Sequence, residues 1–158
     1  MATNQGIAGR WLRRSAVCIL LLLSGCSQVP LTSAVAIPPI PAGAGRIWIY
    51  RNDGPVDSQE RPYLRLNGQV TGISEPNGAF YRDVAPGHYT VSVDSYGAPF
   101  PNQFAQVDLG AGKEAFIKVS SMRDKVGLES LRTFFFTQLI PPDAAQAAIA
   151  VTPFYRTG

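Results

Sequence analysis

Between Arg46 and Gly112 a turn signal interrupts the chain about every ten residues, and that spacing limits the possible folds more than any other feature. The signals are Asn52-Asp53-Gly54-Pro55, Asn67-Gly68, Pro76-Asn77-Gly78, Pro86-Gly87, the stretch 97–102, and Gly110-Ala111-Gly112. Asn-Gly supplies the positive φ of a tight hairpin, and Pro-Gly suits the two central positions of a type II turn. Short strands between regular turns predict an all-β sandwich.

The intervening segments alternate as strands should. In HYTVSVD, Tyr89, Val91 and Val93 share one face, and Thr90, Ser92 and Asp94 share the other. FAQVDLG turns Ala105, Val107 and Leu109 inward with Gln106 and Asp108 outward, and EAFIKVS repeats the pattern with Ala115, Ile117 and Val119. These are strands with one wet face. RIWIYR (46–51) is apolar on both faces, as a central or doubly covered strand would be. Further strands are expected at 63–67, 79–84 and 131–139. Phe135 is expected in the core, with Phe134 and Phe136 on the opposite face, under a helix. That helix is predicted where Pro141-Pro142-Asp143 opens an alanine-rich stretch to Ile149. At about seven residues it is too short to stand alone in water, so it is expected to dock through Ala145, Ala148 and Ile149. The prediction is all-β: one sandwich of about seven strands with a short C-terminal helix, and neither an internal repeat nor a second domain.

The N-terminus has a different character. Arg10, Arg13 and Arg14 form a basic cluster, 16–23 is unbroken apolar sequence, and Ser24-Gly25 follow. This is the pattern of a secretory leader. Eight residues of helix span about 12 Å, whereas a bilayer core needs about 20 apolar residues. Leu23-Ser24-Gly25-Cys26 resembles the lipobox of bacterial lipoproteins: aliphatic, small, small, cysteine. The resemblance implies a diacylglyceryl group on the Cys26 thiol, cleavage just before it, and acylation of the new amine. The alternative is an ordinary cleaved leader with Cys26 a stray thiol. One acyl chain holds a protein only marginally; two or three make the anchor lasting. In enterobacteria-like sorting an Asp after the cysteine retains a lipoprotein at the inner membrane. Ser27 stands there instead, which under that rule implies the outer membrane, and the domain is expected to face the periplasm.

Removing the leader changes the composition. Three of the 14 basic residues precede Cys26 and none of the 11 acidic ones does, so the remaining charges cancel. The sequence pI near 9.1 would suggest nucleic acid or anionic lipid. Without the leader that inference fails, and no nucleic-acid partner is expected. Cys18 leaves with the leader and Cys26 carries lipid, so no disulfide is expected despite an oxidising compartment. The remaining 133 residues suffice for one domain with a core. Residues 26–45 carry Pro30, Pro38, Pro39 and Pro41 and no charge. They are expected to form a tether; at about 3.1 Å per residue it would reach about 60 Å. A strand around 31–37 is the alternative. The boundaries are thus 1–25 leader, 26–45 lipidated cysteine and tether, 46–150 sandwich, and 151–158 tail.

The stretches GRIWIYR, LNGQ, FYRDVAPGHYTVSV and VDLGAGKEAFIKV resemble a widespread group of bacterial lipoproteins known only as a domain of unknown function. The likeness covers about 45–149 and is most specific over 83–93. It implies a transthyretin-like (prealbumin or carboxypeptidase-regulatory) sandwich and no established activity. The Pro-rich loop at 98–102 departs from the group's pattern.

Chemistry is sparse. His88 is the sole histidine, with Asp83 and Asp94 near it in sequence. It reads as a general base or pH sensor, or more plainly as a turn residue bonding backbone or packing over the hairpin. A zinc site takes three or four protein ligands, and one histidine without a free thiol does not supply them. No G-x-S-x-G occurs, and Ser92 and Ser95 sit on a strand and its exit rather than on a nucleophile elbow. Asp53, Asp57 and Glu60 read as a solvated loop, lacking the spacing of a calcium loop. No catalytic residue, metal or cofactor is expected. Tyr96, Phe100 and Phe104 line a loop with two prolines, and aromatics on a rigid loop suit a binding surface. With Trp48 or Tyr50 they are the candidate ligand-binding residues. The alternative is that Phe100 and Phe104 plug the end of the sandwich.

The first functional expectation is a non-enzymatic envelope lipoprotein, held to a membrane by Cys26 and acting through an envelope protein partner. The second is a module binding glycan or a small hydrophobe on the aromatic loop. A hydrolase using His88 has the least support.

Overall fold

Strict alternation buries one face of most of these segments, and they assemble as eight strands in the computed structural model, which describes residues 28–52, 59–95, 103–126 and 130–156. The strands are β1 Gly45–Arg51, β2 Tyr63–Leu66, β3 Gln69–Ile73, β4 Gly78–Val84, β5 Gly87–Val93, β6 Ala105–Leu109, β7 Glu114–Val126 and β8 Ser130–Leu139. A single α-helix among the described residues, α1 Pro142–Ala150, follows them. The strands pair in two four-stranded sheets, β4-β1-β7-β8 and β3-β2-β5-β6. All neighbours are antiparallel except β1 and β7. The architecture is the expected all-β sandwich with a short helix. The strand missing from the expectation is β3: Gly72 interrupts it and its side chains do not alternate in polarity.

The inward faces make one core. Ile47 and Ile49 of β1, Phe80 of β4, Ile117 and Val119 of β7 and Phe135 of β8 meet Leu64, Val91, Val107 and Leu109 of the second sheet. On the outer face of the first sheet Trp48, Tyr50, Ala79 and Phe116 form a second cluster, closed by Ala145 and Ile149 of α1. The docking face of the helix is the expected one, with Ala148 half-buried beside it. β1 is buried along its whole length because both its faces are covered. Phe134 is buried and Phe136 half-buried, yet neither belongs to the cluster under the helix. The outer face of the second sheet carries Arg65, His88, Thr90, Asp94, Gln106 and Asp108.

At the far edge one hydroxyl sews the sheets together. Thr137 Oγ1 on β8 donates to Val91 O (2.7 Å) and accepts from Ala105 N (2.9 Å), while Thr137 N donates to Gln103 O (3.0 Å). Thr137 is 1% exposed.

The β2–β3 hairpin turns on Asn67 (φ 48°) and Gly68 (φ 82°), the paired positive φ of a type I′ turn. Pro86-Gly87 behaves differently from the expectation. Gly87 has no positive φ and already begins β5, and β4 and β5 lie in different sheets. The dipeptide makes a corner between sheets, not a type II hairpin, and Tyr89 Oη secures it by donating to Ala85 O (2.7 Å).

The ends of the chain also depart from the expected boundaries. The stretch 28–45 is not a free tether, nor is 151–156 a loose tail. Leu31 bridges Pro153 in antiparallel fashion, Thr32 N donates to Thr152 O (2.9 Å), and Phe154 N donates to Pro30 O (2.8 Å). Thr32–Ala34 form a short 3-10 turn rather than a strand, and Ile37 packs against the helix-side cluster. The C-terminal segment then extends the first sheet at β4: Ala79 N donates to Pro153 O and Tyr155 N to Ala79 O. Burial explains this. An uncharged, apolar strap gains more by covering Trp48 and Phe154 than by extending into water.

Candidate functional site

β1 sets the position of two of the candidate ligand-binding residues. Trp48 and Tyr50 alternate with Ile47 and Ile49, so they leave the core only to enter the cluster beneath α1, where they are 6% and 3% exposed. Trp48 Nε1 donates to Glu114 Oε1 (2.9 Å), and its ring lies 5.1 Å from Tyr81 and edge-on to Phe154 at 6.4 Å. Burial pushes the Tyr50 phenol up from its ordinary range. Phe104 is 42% exposed and precedes β6, in the other sheet. Tyr96, Phe100 and Cys26 lie outside the described residues. The expected aromatic surface is therefore not assembled from Trp48 and Tyr50. A central strand under a helix turns both its faces onto protein, which was legible in the doubly apolar RIWIYR.

His88 is exposed at the start of β5. Its Nδ1 is 2.7 Å from Oδ1 of Asp108, its cross-strand neighbour on β6. The ring's partner is thus a cross-strand carboxylate. Asp83 and Asp94 are engaged elsewhere, with Arg46 and Arg65. Ser95 Oγ accepts from Phe135 N (2.9 Å). Among the described residues no group of three His, Cys, Asp or Glu is arranged to hold a metal.

The surface with binding geometry lies at the opposite edge, where β4 and β3 come near each other. Phe80, Arg82 and Val84 share the inward face of β4, so Arg82 occupies a position meant for an apolar side chain. Its guanidinium resolves the conflict by reaching across the gap between the sheets. Nε donates to Thr71 O (2.9 Å), and Nη2 donates to the same oxygen (2.6 Å), with Phe80 5.7 Å beneath. Burial lowers the pKa of Arg82 from the usual guanidinium value.

Two depressions flank this arginine. One, about 460 Å³, is lined by Tyr63, Val70, Ile73 and Glu75. The other, about 330 Å³, lies against 35–38 of the strap, Tyr81 and Phe154. Arg82, Tyr155 and Arg156 line both, so together they make one groove divided by the C-terminal segment. Its outer rim is apolar: Tyr63 is 52% exposed, Val70 53% and Ile73 39%. No serine, cysteine or histidine lines it. Chemically the groove offers guanidinium charge and the Glu75 carboxylate beside apolar surface, which suits an extended segment with an acidic group. Sequence reasoning missed it because its walls come from three distant stretches. The one signal available was an arginine between Phe80 and Val84.

Residues 41–138 match the model of a family described as "Protein of unknown function (DUF2846)". An uncharacterized protein of Haemophilus influenzae is 28% identical over 112 residues, which is 67% of this chain and 64% of the relative. The chain thus spans a little under two thirds of that relative's length. No solved structure matches. The family match contains the two sheets almost whole. It leaves out most of the strap, α1 and the segment 153–156.

Proposed function

The chain belongs to the DUF2846 family of proteins of unknown function, and from that premise we propose that it is a lipid-anchored envelope protein whose sandwich binds an envelope protein partner without catalysing a reaction. The anchor is Cys26; Ser27 in place of Asp favours the outer membrane under enterobacteria-like sorting, and the domain faces the periplasm. The observation that carries the binding role is the Arg82 groove: two depressions with an exposed apolar rim and a fixed cation. Exposed apolar side chains grouped at a groove mark a contact surface more often than chance scatter does. The sequence Leu-Ser-Gly-Cys after an apolar run supports the anchor.

Two measurements test the two halves separately. Metabolic labelling with an alkyne fatty acid should mark the wild-type chain and fail on Cys26→Ser; equal labelling removes the anchor. A photo-crosslinker at Val70, expressed in the native host, should give a discrete protein adduct that the same probe at Gln106 does not. Identical patterns at both positions remove the groove as the contact site.

A further inference from the structure

We propose that Val29, Leu31 and Val151 form a second membrane contact, a small apolar foot that rests in the interface of the bilayer holding the anchor. The proposal rests on lipidation of Cys26. Its starting point is the strap, which is clamped and not free. Backbone hydrogen bonds join Pro30 and Thr32 to Phe154 and Thr152, so residue 30 is fixed on the body of the domain. Only three residues lie between it and Cys26, four steps of chain with a reach of about 14 Å at full extension. A lipid on Cys26 would therefore hold this corner of the sandwich against the membrane, instead of letting it swing on a long tether.

The corner has the composition such a position requires. In the paired segments Thr32 and Thr152 turn inward and are 7% and 1% exposed. The residues that alternate with them point out: Val29 is 40% exposed, Leu31 44% and Val151 66%. Three apolar side chains thus face outward at this corner, beside the exposed Gln28 and Ser33, while Ile37 and Phe154 pack inward. Neither 28–37 nor 150–155 contains a charged residue, so nothing there opposes dehydration. Arg156 follows at once and is exposed, placed to meet lipid headgroups while its stem lies along the interface. Behind the foot, Ile37, Trp48, Phe116 and Ile149 line a cavity of about 220 Å³ whose wall also carries Glu114 and Gln146.

The test uses the full-length protein, lipidated in a bacterial host and reconstituted into vesicles of phosphatidylethanolamine and phosphatidylglycerol. An environment-sensitive dye is attached to Leu31→Cys, Val151→Cys or, as a control on the outer face of the second sheet, Gln106→Cys. An apolar side chain seated in the interface lies about 5–10 Å below the headgroup boundary, so nitroxide lipids should quench the dye at 31 and 151 at least about threefold more than at 106. Equal quenching at all three sites, in protein that floats with the vesicles, overturns the foot and leaves the anchor standing. Protein that stays in the aqueous fraction overturns the anchor and the foot with it. Protection of 31 and 151 in intact cells, but not in pure lipid, assigns the patch to a protein partner and also overturns the proposal.

Discussion

Arg46 on β1 and Asp83 on β4 are register partners that meet as a two-pronged ion pair, Nε to Oδ1 at 2.7 Å and Nη2 to Oδ2 at 2.9 Å. The same guanidinium donates from Nη1 to Pro38 O (2.9 Å) and lies 3.9 Å over the Tyr81 ring. The hydrogen bond to Asp83 holds its pKa above the usual guanidinium value, against the cost of burial. One side chain thus ties the strap, β1 and β4 together. The arginine that leads the first strand and the aspartate that opens the most specific stretch of the family resemblance are one structural unit.

From this, Asp83→Ala should destabilise the domain by about 3 kcal/mol, because it leaves Arg46, 3% exposed, without its carboxylate. Replacing both members with apolar residues of similar size, Arg46→Met with Asp83→Leu, should cost less than the single change. Urea unfolding of the wild type and the two variants measures the difference. A single variant no worse than the double one would mean that the pair holds nothing.

Thr137→Val keeps the shape of a side chain that is almost wholly buried and removes only the hydroxyl. Val91 O then loses a donor and Ala105 N an acceptor, both inside the protein. At about 1–3 kcal/mol for each group left unsatisfied, the loss should be about 2–4 kcal/mol. Thr137→Ser, which retains the hydroxyl, should recover most of it. The readout is the urea midpoint at unchanged m-value.

Arg65 and Asp94 form a similar two-pronged pair on the wet face, with N–O distances of 2.7 and 3.1 Å. The hydrogen bond from Arg65 holds the Asp94 carboxyl below the usual carboxylate range. Its contribution is fully present above the unfolded carboxylate pKa of about 3.9 and is lost as pH falls through the lower folded value. Stability measured from pH 6 to pH 2 should therefore differ between wild type and Asp94→Asn at the upper end and converge at the lower. The difference should be small and salt-sensitive, since Asp94 is 42% exposed. A gap that widens toward pH 2 would reverse the sign and refute the assignment.

The sandwich was readable wherever one face of a strand meets water. Val91, Val107 and Ile117 sit inward as the period of two requires, and Asn67-Gly68 turns as its positive φ demands. What escaped was pairing that leaves no period. The bridge from Leu31 to Pro153 spans most of the chain and involves single residues, and β3 is an edge strand with a glycine inside. Pro86-Gly87 looks the same in sequence whether it folds back within a sheet or crosses to the other, and only long-range packing decides. Trp48 and Tyr50 are buried for another reason. The apolar character that suited them to a ligand also suited them to the underside of α1, and the helix is covalently at hand.

That competition can be checked directly, because besides Trp48 the sequence contains one other tryptophan, Trp11. In a Trp11→Phe background Trp48 is the sole indole reporter. Ile149 is 4% exposed and holds α1 over the ring. Ile149→Ala should cost about 2–4 kcal/mol, the usual penalty for an aliphatic truncated in a core. It should also shift the Trp48 emission to the red under conditions where the sheets remain folded, because the helix is too short to persist undocked. Ala147→Ser, on the exposed side of α1, should change neither quantity. If Trp48 already emits like a solvated indole in the parent protein, α1 does not cover it, and the aromatic face of β1 is again available to a ligand.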